Sequence, residues 1–308
     1  MIDQKIKIPW IYHPDYDVPL PYNHRFSSTK FGDLYSFLIK TKISSHSEIF
    51  KPIPATRKQL ERVHTKHYIN KIEFGTLTKS EERILGLPWS KTLLKRSYLA
   101  INGTLNTAYL ALERGVACHL AGGTHHAHAN YGSGFCVFND IAFAAKNLIA
   151  DNICKKILII DCDVHQGDGT ATICADDVNI FTCSIHARGN FPINKAKGDL
   201  DVALEDNIEM NEYIEKIIST LYFCEEKISP DLIIYDAGID VHINDELGRL
   251  KIDSNYIMKR DVEVLKFYKQ RSIPIATVIG GGYSRNRIEL AERHAIIFYA
   301  ANNVYSTK

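Results

Sequence analysis

The sequence predicts an α/β fold: one open parallel sheet with helices on both faces and a polar site at the C-terminal edge of its strands. Short apolar runs alternate along the chain with amphipathic helical stretches, a pattern typical of parallel strands joined by helical crossovers. Each apolar run ends in a segment rich in Gly, His or Asp, so the polar residues are expected to gather at one edge of the sheet. No linker-like or repeated segment interrupts the 308 residues, and we expect a single domain over residues 1–308.

Six segments have the composition of strands. They are short and bounded by polar or glycine-rich residues. All but the first, which lies in the less regular N-terminal part, suit burial on both faces of the sheet. The predicted strands cover residues 5–12, 116–121, 157–160, 178–185, 231–235 and 274–279. Apolar residues at helical spacing predict helices between them, over residues 95–114, 140–150, 211–226 and 254–270.

Composition and charge exclude several classes of protein. With 37 basic and 36 acidic residues the net charge is +1, so we expect no direct binding of nucleic acid and no membrane surface. No apolar run reaches the roughly 18 residues needed to span a bilayer, and the N-terminus lacks the apolar core of a signal peptide. The seven cysteines are scattered and contain no C-x-x-C pair, which is typical of reduced thiols. We therefore expect a cytoplasmic protein.

The segment Ile157–Gly169 contains the clearest candidate site. An apolar run is followed by Asp161, Asp163 and His165, spaced two residues apart, and then by Gly-Asp-Gly. In extended backbone, side chains two residues apart project to the same side, so these three groups should emerge together at the end of a strand. Carboxylate and imidazole groups suit a divalent ion such as zinc. The sequence predicts a metal site here.

Three other strand ends carry residues suited to catalysis. Adjacent His125 and His126 lie in a glycine-rich loop, and histidine is the usual general base because its ordinary pKa is about 6.5. Asp240 follows another apolar strand and is a candidate third ligand for the metal. Three glycines at positions 280–282 allow close approach of a ligand to the backbone, and Tyr283 follows them.

Taken together, these segments resemble the histone deacetylase family, most closely the bacterial members related to class IV deacetylases. The resemblance extends from about residue 20 to residue 300 in the family's order. Its motifs are G-G-T-H-H-A-H at 122–128, G-F-C-V-F-N-D at 134–140, D-C-D-V-H-Q-G-D-G at 161–169, A-G-I-D at 237–240 and G-G-G-Y at 280–283.

The resemblance implies a role for each matching residue. Zinc, one ion per chain, would be held by Asp163, His165 and Asp240. His125 and His126 would be the tandem catalytic histidines, supported by Asp161 and Asp168 respectively, and Tyr283 would stabilise the transition state. Gly134, Phe135, Phe191 and Gly281 would contact the substrate. A structural K⁺ or Na⁺ ion would be bound by Asp161, Asp163, His165, Ser184 and Ile185, mostly through main-chain oxygens.

The implied activity is zinc-dependent hydrolysis of the amide of an acetyl- or acyl-lysine. Deacetylation of acetylpolyamines or other small acylated amines is an alternative, and a catalytically silent acyl-group binding protein is a third. An arginase-like enzyme with two manganese ions would need a carboxylate where this chain has Gly167. Asp236 and His242 depart from the residues usual at their positions in the subgroup, and we expect His242 to lie at the rim of the site. The oligomeric state is left open.

Overall fold

Eight parallel strands form one continuous sheet in the computed structural model, which describes residues 7–306. The order across the sheet is β2-β1-β3-β8-β7-β4-β5-β6, and every neighbouring pair is parallel. The strands are β1 Ile8–Ile11, β2 Ser47–Phe50, β3 Val116–His119, β4 Ile157–Asp161, β5 Ile180–Ala187, β6 Leu200–Leu204, β7 Leu232–Asp236 and β8 Ile275–Val278. The predicted open parallel sheet is confirmed.

Eleven α-helices accompany the sheet within residues 7–306, together with two short 3-10 helices at Pro14–Tyr16 and Ile43–His46. The helices are α1 Lys30–Lys40, α2 Arg57–Leu60, α3 Lys66–Phe74, α4 Lys79–Leu85, α5 Lys91–Arg114, α6 Asp140–Ala150, α7 Asp168–Cys174, α8 Met210–Lys227, α9 Ser254–Gln270, α10 Arg287–His294 and α11 Ile296–Tyr305. In the part of the chain that the structure describes, no helix is both long enough and apolar enough to cross a membrane.

All six predicted strands are present, with ends displaced by at most three residues, although residues 5 and 6 of the first lie outside the described residues. Two of the four predicted helices, α6 and α9, have the predicted bounds. Both begin at a side chain that caps the first turn: Asn139 accepts a hydrogen bond from the Ala142 N–H, and Asp253 accepts one from Tyr256. The edge strands β2 and β6 were not predicted, because their partly exposed residues lack a continuous apolar run.

The sheet is buried beneath two sets of helices. Helix α5 packs against β1, β3 and β8 and against α6, whereas α9 packs against α8 and α11. The central strand β4 is buried at all five positions, as expected for a parallel strand covered on both faces. Because these strands are parallel, the loops after β3, β8, β7, β4 and β5 meet at one edge of the sheet.

Candidate active site and metal centre

Asp163, His165 and Asp240 form a compact group of potential metal ligands. One ligand atom from each lies within 4.8 Å of the others, and all three residues are buried. His165 Nδ1 is 3.1 Å from Asp163 Oδ1 and 3.1 Å from Asp240 Oδ2. Ligand atoms around a tetrahedral zinc ion with bonds of about 2.0–2.1 Å lie roughly 3.3 Å apart, so this donor set fits such an ion.

The reason these ligands meet differs from the one that the sequence suggested. Strand β4 ends at Asp161, and the residues after it belong to a loop, so strand alternation does not orient Asp163 and His165. Instead the backbone N–H groups of Val164 and Gly281 donate hydrogen bonds to Asp240 Oδ1 (2.8 Å) and Asp163 Oδ2 (2.7 Å). A side chain at Gly281 would place its Cβ 2.1 Å from Asp240 Oδ2, so only glycine fits here.

A buried arginine beneath the ligand loops is a residue that the sequence reading missed. Arg260 donates hydrogen bonds to the carbonyl oxygens of Gly238 (2.8 Å) and Cys162 (3.2 Å), next to ligand positions on both loops. It is paired with Asp261 at 2.8 Å, and both side chains are fully buried. Its signal in the sequence is only an Arg-Asp pair inside an amphipathic helix, which usually indicates a solvent-exposed face.

The tandem histidines each bind a carboxylate. His125 Nδ1 lies 2.7 Å from Asp161 Oδ2, and His126 Nδ1 lies 2.6 Å from Asp168 Oδ1. The two Nε2 atoms are 3.2 Å apart, a distance suited to one proton between them. The carboxylates orient both rings toward the pocket beside the ligand group.

The two histidines have opposite electrostatic surroundings. Burial opposes a charge on His125, but Asp161 and Asp163 outweigh it and raise its pKa well above the usual range. Burial and the neighbouring His125 lower the pKa of His126 to about 4 despite its contact with Asp168. Among the protein groups alone, His125 is therefore the charged ring and His126 the neutral one.

Tyr283 closes the other side of the pocket. Its N–H donates to Asp245 Oδ2 at 2.7 Å, so Asp245, to which the sequence reading gave no role, fixes the backbone that carries the ring. Burial, with Asp240 and Asp163 nearby, raises the pKa of the Tyr283 hydroxyl well above its usual value. The hydroxyl therefore keeps its proton and can donate a hydrogen bond.

Gly134, Phe135 and Phe191 line the approach to these groups. The Phe191 ring packs edge-on against His126 with centroids 4.9 Å apart, and the Phe135 ring lies 5.9 Å from that of Tyr283. Phe135 has the unusual φ of +67°, and its N–H is held by the Leu85 carbonyl at 2.8 Å. A Cβ at Gly134 would lie 2.6 Å from the His126 ring, which explains the glycine. These residues form the inner wall of an open mouth of about 600 Å³.

Two further groups lie beside the ligands. His125, Asp163 and Asp236 also bring one ligand atom each within 4.8 Å of the others. Burial, followed by repulsion from Asp161 and Asp163, raises the pKa of Asp236 well above its usual value and so favours its protonated form. On the other side of Asp161, a cavity of about 10 Å³ is lined in part by Ser184, near the residues expected to bind a monovalent cation.

His242 is not at the rim, and that expectation was wrong. It is buried, its Nε2 lies 3.2 Å from Ser254 Oγ, and its Nδ1 accepts the N–H of Asn244 at 3.0 Å. The backbone around it bridges to Ile252, and His242 is not among the residues that line the mouth.

Comparison with known proteins gives consistent results. A family model for the histone deacetylase domain matches residues 24–297. An uncharacterized protein of Picosynechococcus sp. is 42% identical over 96% of this chain and 99% of its own length. Histone deacetylase 2 of Arabidopsis thaliana is 29% identical, covering 91% of this chain and 76% of its own, and the acetoin utilization protein AcuC of Staphylococcus aureus is 29% identical, covering 86% and 74%.

The fold is also similar to solved structures. The crystal structure of an HDAC homolog from Aquifex aeolicus superposes with a TM-score of 0.80 at 23% sequence identity, covering 98% of this chain and 85% of that one. A crystal structure of an HDAC homolog in complex with SAHA gives the same values. At this identity the likeness concerns the fold.

Proposed function

This chain belongs to the histone deacetylase family of hydrolases, and from that premise we propose that it is a zinc-dependent deacylase that cleaves the amide of an acyl-lysine, with residues 1–308 as one catalytic domain. The observation that carries the proposal is the juxtaposition of a three-residue ligand group with two carboxylate-bound histidines and a protonated tyrosine. The implied zinc would be held by Asp163, His165 and Asp240, and a structural K⁺ or Na⁺ by the group around Asp161 and Ser184.

Zinc, when bound, would polarise the substrate carbonyl and activate a water molecule as the nucleophile. The neutral His126 ring takes a proton from that water and returns it to the leaving lysine amine. Asp168 fixes the His126 ring through Nδ1, so the nitrogen that handles protons is Nε2. His125, charged and held by Asp161, orients its neighbour and favours developing negative charge.

Tyr283 donates its hydroxyl hydrogen bond to the oxyanion that forms as water attacks the carbonyl carbon. The raised pKa of the hydroxyl matters because a tyrosinate would repel that oxyanion. Phe135 and Phe191 would enclose the apolar stem of the acylated lysine and exclude bulk water from the reacting atoms.

The charge of the mouth favours acyl-lysine in a protein over an acetylpolyamine. Arg25 and Arg83 line the mouth, and both are exposed. Its lining residues, among those that the structure describes, include no carboxylate. A cationic polyamine would meet two like charges there, whereas a neutral or acidic peptide would not.

The test combines metal analysis with hydrolysis of an acetyl-lysine peptide. We expect one zinc per chain and release of acetate, and we expect Asp240→Asn to lose both, because it removes one of three protein ligands. Asp151→Asn, a conservative change at the exposed C-terminal end of α6, is the matched control and should keep both. Two metal ions per chain, full zinc content in Asp240→Asn, or faster turnover of acetylspermidine than of any acyl-lysine peptide would each contradict the proposal.

A further inference from the structure

A small cavity lies on the inner side of the site, against the metal-ligand group, and Asp163 is part of its lining. It has a volume of about 20 Å³, enough for one or two water molecules. Gly134 and Tyr283 line both this cavity and the mouth, so the cavity adjoins the space that the acyl group would occupy. Two cationic side chains, Lys30 from α1 and Arg96 from α5, complete its wall. The reaction described above uses neither of them.

Lys30 is buried to 96% and only partly satisfied. Its Nζ donates one hydrogen bond, to the carbonyl oxygen of Gly280 at 3.1 Å, and an ammonium group has three donors. The Phe26 and Tyr283 rings lie 5.2 Å and 5.9 Å from Nζ. Burial and the nearby Arg96 lower its pKa to about 8, so most of the amine is still charged at pH 7.

Arg96 is equally buried and less well paired. Its Nε has no hydrogen-bond partner within residues 7–306, although the side chain is only 4% exposed. Its guanidinium lies over the Phe31 ring at 4.9 Å from the centroid. The nearby carboxylate of Asp140 accepts hydrogen bonds from the N–H groups of Gly123 and Thr124 instead. A buried guanidinium that lines a cavity and has an unpartnered donor favours an anionic ligand, because unmade charged hydrogen bonds are costly.

A divalent ion at the proposed site would strengthen that preference. The carboxylates that attract Lys30 most are Asp240 and Asp163, the proposed zinc ligands. Two positive charges on the metal would offset these two carboxylates and lower the pKa of Lys30 further, so Lys30 would stay protonated only beside another anion. Arg96 keeps its proton at any working pH and would retain an excess of positive charge. A carboxylate in the cavity would balance it with charge-assisted hydrogen bonds from both side chains.

We infer that Lys30 and Arg96 form a carboxylate-binding subsite that selects short acyl groups ending in a carboxylate, of the malonyl or succinyl class, on lysine. The inference rests on the proposed function. In a succinyl group, three C–C bonds of about 1.5 Å each separate the scissile carbonyl carbon from the terminal carboxylate carbon, a reach suited to a cavity adjoining the site. Hydrolysis adds hydroxide to the acyl carbon and a proton to the lysine Nζ, giving free lysine and the dicarboxylate.

The same geometry disfavours long neutral chains. A chain that extends beyond the carbonyl meets two buried cations and the rings of Phe26 and Phe31 instead of an open apolar tunnel. Placing methylene groups against Lys30 and Arg96 would strip them of water without supplying a hydrogen bond. A butyryl group, which matches succinyl in chain length and lacks the charge, is therefore the informative comparison.

The experiment measures kcat/KM for three peptides that differ only in acetyl, butyryl or succinyl on one lysine. We expect the unaltered zinc enzyme to cleave succinyl-lysine at least tenfold better than butyryl-lysine. Lys30→Met should lower the succinyl value by roughly 10- to 100-fold, the worth of one or two charged hydrogen bonds, and the acetyl value by less than threefold. Lys40→Met, at the exposed end of the same helix, is the matched control and should change none of the three.

Several results would overturn the inference. The first is that the unaltered enzyme cleaves butyryl-lysine as fast as succinyl-lysine. The second is that Lys30→Met keeps the same preference for succinyl-lysine. If Lys30→Met does not fold, Arg96→Gln replaces it with the same expectations. If Lys30→Met weakens inhibition by acetate and leaves all three kcat/KM values unchanged, the cavity binds the acetate product, and the inferred substrate preference is overturned.

Calorimetric binding separates this inference from the proposed function. If no acyl-lysine peptide is hydrolysed, the proposed function fails, and the zinc-loaded protein is titrated with the succinyl and butyryl peptides. Tighter binding of the succinyl peptide, lost in Lys30→Met, would still support the carboxylate subsite. Equal binding of the two peptides would overturn it.

Discussion

Replacing Tyr283 by Phe tests the oxyanion donor most directly. The change removes one hydroxyl and keeps a ring that is only 8% exposed and packs 5.9 Å from Phe135. The backbone anchor to Asp245 is also kept, because it uses the Tyr283 N–H. Folding and zinc content should therefore be almost unaltered.

The expected loss lies in kcat. A single preorganised donor to an oxyanion contributes about 2.7–4 kcal/mol to the transition state, which corresponds to a decrease of roughly 10²- to 10³-fold in kcat. The effect on KM should be smaller, because the hydrogen bond strengthens as charge develops on the oxygen. Steady-state hydrolysis of an acetyl-lysine peptide, with zinc content measured on the same samples, gives both parameters.

Tyr268→Phe is the matched control. Tyr268 is buried in α9, and its hydroxyl has no hydrogen-bond partner among the described residues, so its removal should leave kcat unchanged. Turnover of Tyr283→Phe at the parent rate would refute the assignment of the oxyanion donor. Equal losses in the two variants would instead indicate a general effect of removing a buried hydroxyl.

Three other predictions concern stability and specificity. Arg260→Met leaves the buried Asp261 without its cation and should lower the free energy of unfolding by about 3–5 kcal/mol in urea titrations, whereas a loss below about 1 kcal/mol would contradict the pairing. Burial lowers the pKa of His64 to about 4, so its neutral form stabilises the fold above the unfolded pKa of about 6.5. Its contribution falls as the pH drops from about 6.5 toward 4, by up to about 1.4 kcal/mol per pH unit, and His64→Gln should make the pH profile of unfolding shallower. Replacing Arg25 and Arg83 together by Glu should reduce kcat/KM several-fold for peptides with acidic flanks and raise it for peptides with basic flanks at low salt. Identical kcat/KM values for the parent and the double variant would refute a role for the charge of the mouth.

Much of the fold could be predicted because its central strands are mostly apolar and almost wholly buried. Strands such as β4, buried at every position, have no polar alternation, and this marks them as parallel strands covered on both faces. The edge strands β2 and β6 and the short helices near the N-terminus lack that mark. Their positions depend on pairing with a neighbouring strand or on packing, which local composition does not encode.

The sequence by itself determined the chemical groups of the candidate site, because parallel strands bring their C-terminal ends to one edge and the motif residues follow those ends. Only the tertiary structure decided how they meet. Strand β8 lies between β3 and β7 and so brings Gly281 against Asp163 and Asp240. Lys30 and Arg96 lie on helices that are distant in the sequence from every motif. Burial beside the site turns these two ordinary charged residues into a binding surface.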